Sequence, residues 1–351
     1  MRHALRRRKA YKRRDDDVGN DQDGSEQLNE WFQLAGGGLL LYFGAEWFVG
    51  GASALALALR VPQIIVGLTV VAYGTSAPEL IVGVQAASSG HGEVALGNVI
   101  GSNIANIGLI LGVAALIRPA RVDGALRRRE LPVLVASAVL VPLLLLDGVV
   151  SRWEAGGLLL VAGGYTGWMI YVARSAATMA RAKANTATTA EVADAAGAPK
   201  PVGTLRAALT AAAGLTVLLV GGHIFVNGAV SVAHALGMSD RLVGLTIVAL
   251  GTSLPELIAG IIAARRGHSD LAVGNVLGSN IFNTFLCLGA AGLTGSVGAP
   301  IHTLGVDLVA LVAMTGLAVL FIRSERTISR LEGGVAVTLY AVFTALAIAR
   351  G

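Results

Sequence analysis

The chain alternates long apolar runs with short polar segments from Trp31 onward. Ten of these runs are long enough to cross about 30 Å of hydrocarbon as helices. They occupy residues 32–58, 62–88, 93–117, 130–147, 153–173, 204–236, 239–264, 270–294, 301–322 and 333–349. The pattern predicts an all-α polytopic membrane protein with ten transmembrane helices.

Two longer polar segments divide the chain. Residues 1–30 hold a basic cluster followed by an acidic one, a composition that cannot bury a core and predicts a disordered polar tail. Residues 174–203 are rich in Ala, Thr and small polar residues and predict a flexible linker. The linker separates a first five-helix repeat, residues 31–173, from a second, residues 204–351.

The two halves repeat each other. Residues 74–79 (GTSAPE) return 177 positions later as residues 251–256 (GTSLPE), and residues 97–103 (GNVIGSN) return as residues 274–280 (GNVLGSN). Five helices separate equivalent elements, and an odd number inverts the second half in the membrane. Proline and glycine weaken helices, so the motifs predict breaks in helices 2, 3, 7 and 8. Inverted repeats with broken helices are typical of secondary transporters.

Composition agrees with a membrane location. Of 351 residues, 54% are hydrophobic and only 14% are charged, whereas soluble domains have about 25% charged residues. Most Lys and Arg residues lie in loops that follow odd-numbered helices, which explains the basic balance without nucleic acid. This bias predicts a protein of the inner (plasma) membrane with the 174–203 linker in the cytoplasm and both termini outside, although the basic tail is contrary evidence.

Glu79 and Glu256 are the candidate functional acids. An ionised carboxylate inside a bilayer is costly, so the pair needs a cation or a proton. Hydroxyl and amide side chains of the same motifs add neutral oxygens; they are Thr75, Ser76, Ser102, Asn106, Thr252, Ser253, Ser279 and Asn283. Without His or Cys, these ligands disfavour zinc and copper and suit Ca²⁺ or Na⁺.

These two motifs, present once in each half, resemble the alpha-repeats of the cation/calcium exchanger superfamily, nearest its prokaryotic sodium/calcium exchangers. The resemblance covers about residues 31–351. It implies alternating access and four ion sites between helices 2, 3, 7 and 8. The substrates would be Ca²⁺ and Na⁺, with electrogenic extrusion of calcium.

The resemblance also implies roles for individual residues. Glu79 and Glu256, with the carbonyls of Thr75 and Thr252, would hold Ca²⁺. The flanking Na⁺ sites would use Ser76, Ser102, Ser253 and Ser279 with the carbonyls of Ala72 and Ala249. Asn106 and Asn283 would line the middle. Some relatives carry Asp where this chain has Asn283, which argues against potassium coupling.

Other polar residues lie outside the motifs. Glu46 and His223 occupy equivalent intramembrane positions and are functional candidates by default. His91 and His268 match under the offset and are interpreted as interfacial residues. Cys287 is the only cysteine, so no intrachain disulfide can form.

Several functions remain open at this point. The runner-up is a Ca²⁺/H⁺ antiporter, in which protons on the glutamates release calcium. A cation channel or an intramembrane hydrolase would not explain the inverted duplication. We expect no enzymatic activity, no cofactor and no obligatory protein partner. The lipid bilayer is the expected surrounding of the protein.

Overall fold

The structure is a computed structural model that describes residues 2–122, 124–186, 203–238, 247, 249–324 and 327–350. Side chains are described from residue 29 onward, except at residues 121, 125–127, 181, 183–186, 249, 301–302 and 324. Within these ranges the protein consists of helices joined by short turns and loops, together with four two-residue strands. The fold class predicted from the apolar runs is therefore confirmed as all-α.

The first half contains eight helices and two strands. In chain order they are α1 (Arg2–Leu59), α2 (Gln63–Val66), α3 (Ala72–Thr75), α4 (Ala77–Ser88), α5 (Gly92–Ala105), α6 (Gly112–Ile117), β1 (Ala120–Arg121), α7 (Gly124–Leu144), β2 (Val149–Val150) and α8 (Arg152–Thr186). Two π-helical stretches, Gly67–Val71 and Asn106–Leu111, join α2 to α3 and α5 to α6.

The second half has seven described helices and two strands. They are α9 (Thr204–Ala235), α10 (Ala249–Gly251), α11 (Leu254–Arg265), α12 (Ser269–Phe282), α13 (Leu288–Thr294), β3 (Val297–Gly298), α14 (Ile301–Ser324), β4 (Thr327–Ile328) and α15 (Arg330–Arg350). The π-helical stretch Asn283–Cys287 joins α12 to α13. The beginning of predicted helix 7, residues 239–246 and 248, lies outside the described residues.

Seven helices in the described part of the chain are long and apolar enough to cross a membrane. They are Asn29–Leu59, Gly92–Ile117, Arg152–Ala180, Thr204–Ala235, Ser269–Thr294, Thr303–Arg323 and Arg330–Arg350. An eighth span results if the bent pair Gln63–Thr75 and Ala77–Ser88 is one crossing. The chain is thus an integral membrane protein.

The predicted breaks occur in helices 2 and 7 but not in helices 3 and 8. Helix 2 bends by 43° between α3 and α4, and helix 7 is interrupted by a turn at Thr252 and Ser253. Pro78 and Pro255 cause these breaks because proline offers no N–H to the carbonyl four residues earlier. Helices 3 and 8 lack proline in their motifs, and each continues through a π-helical stretch. The prediction that they break is therefore wrong.

Two boundaries differ from the sequence pattern. Helix α8 runs to Thr186, so residues 174–186 of the predicted linker are helical and residues 187–202 lie outside the described part. Helix α1 is assigned from Arg2, which differs from a disordered tail at residues 1–30. Only residues 29 and 30 of that tail have described side chains, so its packing stays untested.

The packing relates the two halves reciprocally. Strand β1 pairs antiparallel with β4, and β2 pairs antiparallel with β3; the offset of 177 carries β1 onto β3. At the centre, helix 2 crosses α12 with almost no space between the backbones. A Cβ added at Gly274 would lie 2.5 Å from the Ile64 carbonyl oxygen, and one at Gly278 would lie 2.7 Å from the Leu68 carbonyl oxygen. Glycine at these positions brings the two helices together at the repeated motifs.

Candidate ion-binding site

Two glutamates occupy the N-terminal turns of the helices that follow the breaks. Glu79 lies in the first turn of α4 and Glu256 in the first turn of α11. Both side chains are 1% exposed. No Lys or Arg in the described part of the chain forms an ion pair with either carboxylate. Their charge must therefore be balanced by a cation or a proton.

Each carboxylate accepts a hydrogen bond from the serine of the opposite half. Ser76 Oγ donates to Glu256 Oε1 at 3.1 Å, and Ser253 Oγ donates to Glu79 Oε1 at 3.1 Å. The second oxygen of each carboxylate, Oε2, is buried and has no hydrogen-bond partner among the described residues. The two acids are thus held in equivalent positions, and each keeps one carboxylate oxygen for a further ligand.

The threonines of the two motifs also contact residues of the opposite half. The Thr75 hydroxyl lies 3.2 Å from Asn275 Oδ1, and the Thr252 hydroxyl lies 3.5 Å from Asn98 Oδ1. Asn98 Nδ2 also donates to the Glu79 carbonyl at 3.1 Å. Helices 3 and 8 therefore hold the broken segments of helices 7 and 2 through amide side chains.

A second layer of amides joins helix 3 directly to helix 8. Asn106 Nδ2 donates to Asn280 Oδ1 at 2.9 Å, and Asn280 Nδ2 donates to the Asn103 carbonyl at 3.3 Å. Asn103 Nδ2 donates to the Thr284 hydroxyl at 3.1 Å. The amide oxygens of Asn103 and Asn106 remain buried without a partner among the described residues.

The unpartnered atoms define what this arrangement can bind. Of the six buried side-chain oxygens without a hydrogen-bond partner in the described part of the chain, five lie in the repeated motifs: Glu79 Oε2, Glu256 Oε2, Asn103 Oδ1, Asn106 Oδ1 and Ser279 Oγ; the sixth, Glu130 Oε1, lies in α7. Carboxylate, amide and hydroxyl oxygens are hard ligands, which Ca²⁺ and Na⁺ accept and zinc or copper do not prefer. Burying such atoms unpaired is costly, which favours a cation among the oxygens; the amide nitrogens of Asn275 and Asn283 are also buried without a partner among the described residues.

The backbone at the breaks contributes further oxygens. Pro78 and Pro255 leave the carbonyls of Gly74 and Gly251 without their helical donors. No backbone N–H among the described residues bonds to the Thr252 carbonyl. By contrast, the Ala72 carbonyl accepts the Ser76 N–H at 3.0 Å. A cation at Ala72 would have to share this oxygen with the helix.

The structure places the remaining predicted ligands as follows. Ser102 is buried on α5, and Ala249 begins α10. Asn283 is buried at the start of a π-helical stretch, where the Cys287 thiol lies 3.7 Å from its Oδ1. The sole cysteine therefore contacts a predicted ligand.

The polar candidates outside the motifs have other partners. Glu46 pairs with Arg266, and His223 lies 3.2 Å from Asn227 Nδ2 on an exposed face of α9. His268 precedes α12 and contacts Gln63 Oε1 at 3.1 Å. Burial lowers the pKa of His268, and the charges of Arg266 and Arg118 lower it further.

Sequence reasoning missed several amides that build the site. Asn98, Asn103, Asn275 and Asn280 belong to the duplicated motif, yet their side chains were not assigned roles. Their recurrence at the same offset as Glu79 and Glu256 was the signal that could have identified them. Thr284 carries no such signal, because its equivalent is Ile107.

A comparison with known protein families matches the chain in the same two halves. The sequence model of the family described as "Sodium/calcium exchanger protein" matches residues 29–171 and 206–349. The match therefore covers most of the chain and leaves out the whole of the predicted linker at residues 174–203.

Individual relatives agree with that family. The provisionally named antiporter CaxA of Alkalimonas amylolytica is 38% identical over 255 residues, 71% of this chain and 76% of the relative. The sodium/calcium exchanger MaX1 of Methanosarcina acetivorans is 31% identical over 281 residues, 71% of this chain and 79% of the relative. The solved sodium-calcium exchanger NCX_Mj, soaked with Na⁺ and Ca²⁺, superimposes with a TM-score of 0.76 at 32% identity, covering 90% of this chain and 97% of its own.

Proposed function

Because this chain belongs to the sodium/calcium exchanger protein family, we propose that it exchanges Na⁺ for Ca²⁺ across the plasma membrane by alternating access and extrudes Ca²⁺ electrogenically. The family consists of cation antiporters, so the chain is a transporter and not an enzyme. Its members carry Ca²⁺ and Na⁺ as substrates and need no cofactor.

The reciprocal hydrogen bonds between Ser76 and Glu256 and between Ser253 and Glu79 carry this proposal. They place two carboxylates in equivalent positions on opposite halves, each with one free oxygen. One Ca²⁺ between the free oxygens would neutralise both charges, and carbonyl and amide oxygens would complete its six to eight ligands. The same proposal includes the roles that the resemblance implies for the twelve predicted ligand residues.

The proposed architecture has ten transmembrane segments in two inverted halves. Two of the ten are not among the helices described above as long and apolar enough to cross a membrane. One is α7, which contains Pro132 and Pro142. The other is helix 7, whose beginning lies outside the described residues. The pairing of β1 with β4 and of β2 with β3 supports the inversion. In this arrangement the two breaks face each other from opposite sides of the membrane.

The orientation rests on the charge bias of the loops. Loops after odd-numbered helices are rich in Lys and Arg, so we place the linker at residues 174–203 in the cytoplasm and both termini outside. Calcium would then leave the cell as sodium enters.

Electrogenicity follows from counting charges. Two carboxylates are neutralised by one Ca²⁺, whereas the surrounding oxygens offer sites for three Na⁺ about the same pair. The sodium-loaded protein would then carry one more positive charge. Moving that charge through 100 mV is worth about 2.3 kcal/mol, or roughly a factor of 50 in the calcium ratio sustained.

Calcium/proton exchange is the second candidate. Glu79 Oε2 and Glu256 Oε2 have no donor among the described residues, so a proton on either oxygen could displace calcium. The sodium-binding hydroxyls Ser102 and Ser279 would then have no transport role.

Purified protein in proteoliposomes separates these candidates. Calcium-45 uptake should require an outward sodium gradient and fail with a proton gradient alone. With equal sodium on both sides, a potassium-valinomycin potential should also drive calcium exchange. Uptake driven by protons without sodium would replace the proposal with the second candidate, and no response to voltage would indicate an electroneutral cycle.

A further inference from the structure

A buried acid outside the ion cluster is tied to the helices that form it. Glu130 lies in α7 and is 0% exposed. The Tyr165 hydroxyl of α8 donates to Glu130 Oε2 at 2.7 Å. Arg129 Nε lies 3.9 Å from Glu130 Oε1, and the Arg129 guanidinium stacks over the Trp168 ring at 5.6 Å. Glu130 Oε1 has no hydrogen-bond partner among the described residues, but the nearby positive charge of Arg129 disfavours a cation there; the hydrogen bond that the carboxylate does make is the one from Tyr165.

Tyr165 in turn packs against the ion-binding helices. Its ring meets Phe282 edge-to-face with 6.2 Å between centroids, and Phe282 contacts Tyr73 at 3.6 Å. Phe282 is the last residue of α12, directly before Asn283. Tyr73 lies in α3, between Ala72 and the break.

A second contact joins α8 to Tyr73. Thr166, the residue after Tyr165, is hydrogen-bonded to the Tyr73 hydroxyl. Helix α8 therefore contacts the eighth predicted helix, which contains α12, through Tyr165. It contacts the second predicted helix, which contains α3, through Thr166. These two helices carry ligands from opposite halves, so their spacing sets the size of the oxygen cluster.

We propose that Glu130 and Tyr165 are positioning residues for ion binding, whose hydrogen bond fixes Phe282 and Tyr73 and thereby the spacing of the ion-binding segments. This inference rests on the proposed function. A hydroxyl bonded to a buried carboxylate is stronger and more directional than a neutral hydrogen bond. Small displacements of ligands weaken ion binding steeply. Loss of the hydroxyl should therefore loosen the site without unfolding the helices.

Tyr165→Phe is the direct test, because it keeps the packed ring and removes only the hydroxyl. We expect the KM for Ca²⁺ in sodium-driven exchange to rise about tenfold, as for loss of one hydrogen bond to a charged group, with kcat within about twofold of wild type. Tyr171→Phe makes the same change on an exposed face of α8 and should leave both constants unchanged.

Glu130→Gln provides a second variant that keeps the size of the side chain and an acceptor for Tyr165. Its KM should rise less than that of Tyr165→Phe. The double variant should be no worse than Tyr165→Phe, because the change at Glu130 acts through the hydroxyl that Tyr165→Phe has already removed. Additive effects of the two changes would overturn the proposal.

Thermal unfolding in detergent, with and without Ca²⁺, measures calcium binding independently of transport. The stabilisation by Ca²⁺ should need about tenfold more ion in Tyr165→Phe than in wild type. An unchanged calcium requirement, or a fall in kcat with KM unchanged, would reject the positioning role. Absence of sodium-driven exchange in wild type that still binds Ca²⁺ would instead count against the proposed function alone.

Discussion

Replacement of Glu256 by Gln tests the centre of the site most directly. The side chain keeps its shape and its acceptor for the Ser76 hydroxyl, which lies 3.1 Å from Oε1. The change removes one of two charges from a position that is 1% exposed. Removing one partner of a buried ionic interaction costs about 3–5 kcal/mol. Calcium affinity should therefore fall by about 100- to 4,000-fold, at 1.4 kcal/mol per factor of ten.

The assay is sodium-driven calcium-45 uptake into proteoliposomes, with calcium binding followed by thermal unfolding. Glu79→Gln should give the same loss as Glu256→Gln, because the two carboxylates have equivalent partners. Glu93→Gln is the matched control: the same chemical change on α5, at an exposed position, should leave transport unchanged. Wild-type rates in either motif variant, with normal expression, would refute the assignment of these acids to the calcium site.

Three further predictions follow from particular contacts. Ser76→Ala removes the hydroxyl that donates to Glu256 and should raise the KM for Ca²⁺ about tenfold, measured as initial uptake rates; an unchanged KM would contradict the role of this bond. Asn283→Asp adds an acid near two glutamates. Because like charges raise one another's pKa, transport should become more dependent on pH. A pH profile equal to that of wild type would place Asn283 outside the cluster. Because burial and then Arg266 and Arg118 lower the pKa of His268, the unfolded chain binds more protons below about pH 6.5 and the melting temperature should fall there. His268→Gln should reduce that fall, whereas the same change at the exposed His91 should not; equal pH dependence in both variants would refute this.

The helical architecture and the key acids follow from local sequence. Apolar runs of membrane length dictate helices because a bilayer leaves the backbone no other partners. Pro78 and Pro255 lack an N–H and mark the breaks of helices 2 and 7 together with the Gly-Thr-Ser that precedes each; proline alone is not sufficient, because α7 continues through Pro132 and Pro142. The offset of 177 links Glu79 to Glu256 before any fold is known. These features depend only on neighbours along the chain.

Local sequence did not predict the course of helices 3 and 8. Their Gly-Ser-Asn segments predict breaks, yet both helices continue through π-helical stretches. In helix 8, Gly274 packs closely against Ile64, and amide hydrogen bonds join helix 3 to helix 8. Glycine is weak in an isolated helix, but tertiary contacts override that preference.

Only the tertiary structure decided which residues meet across the two halves. Ser76 and Glu256 are 180 positions apart, and Thr75 and Asn275 are 200 apart. Glu46 could have served ion access, but the fold brings it to Arg266, and Glu130 gained a partner in Tyr165. Their partners depend on how the helices cross one another, and this is set by the packing of whole helices and not by any single stretch of chain.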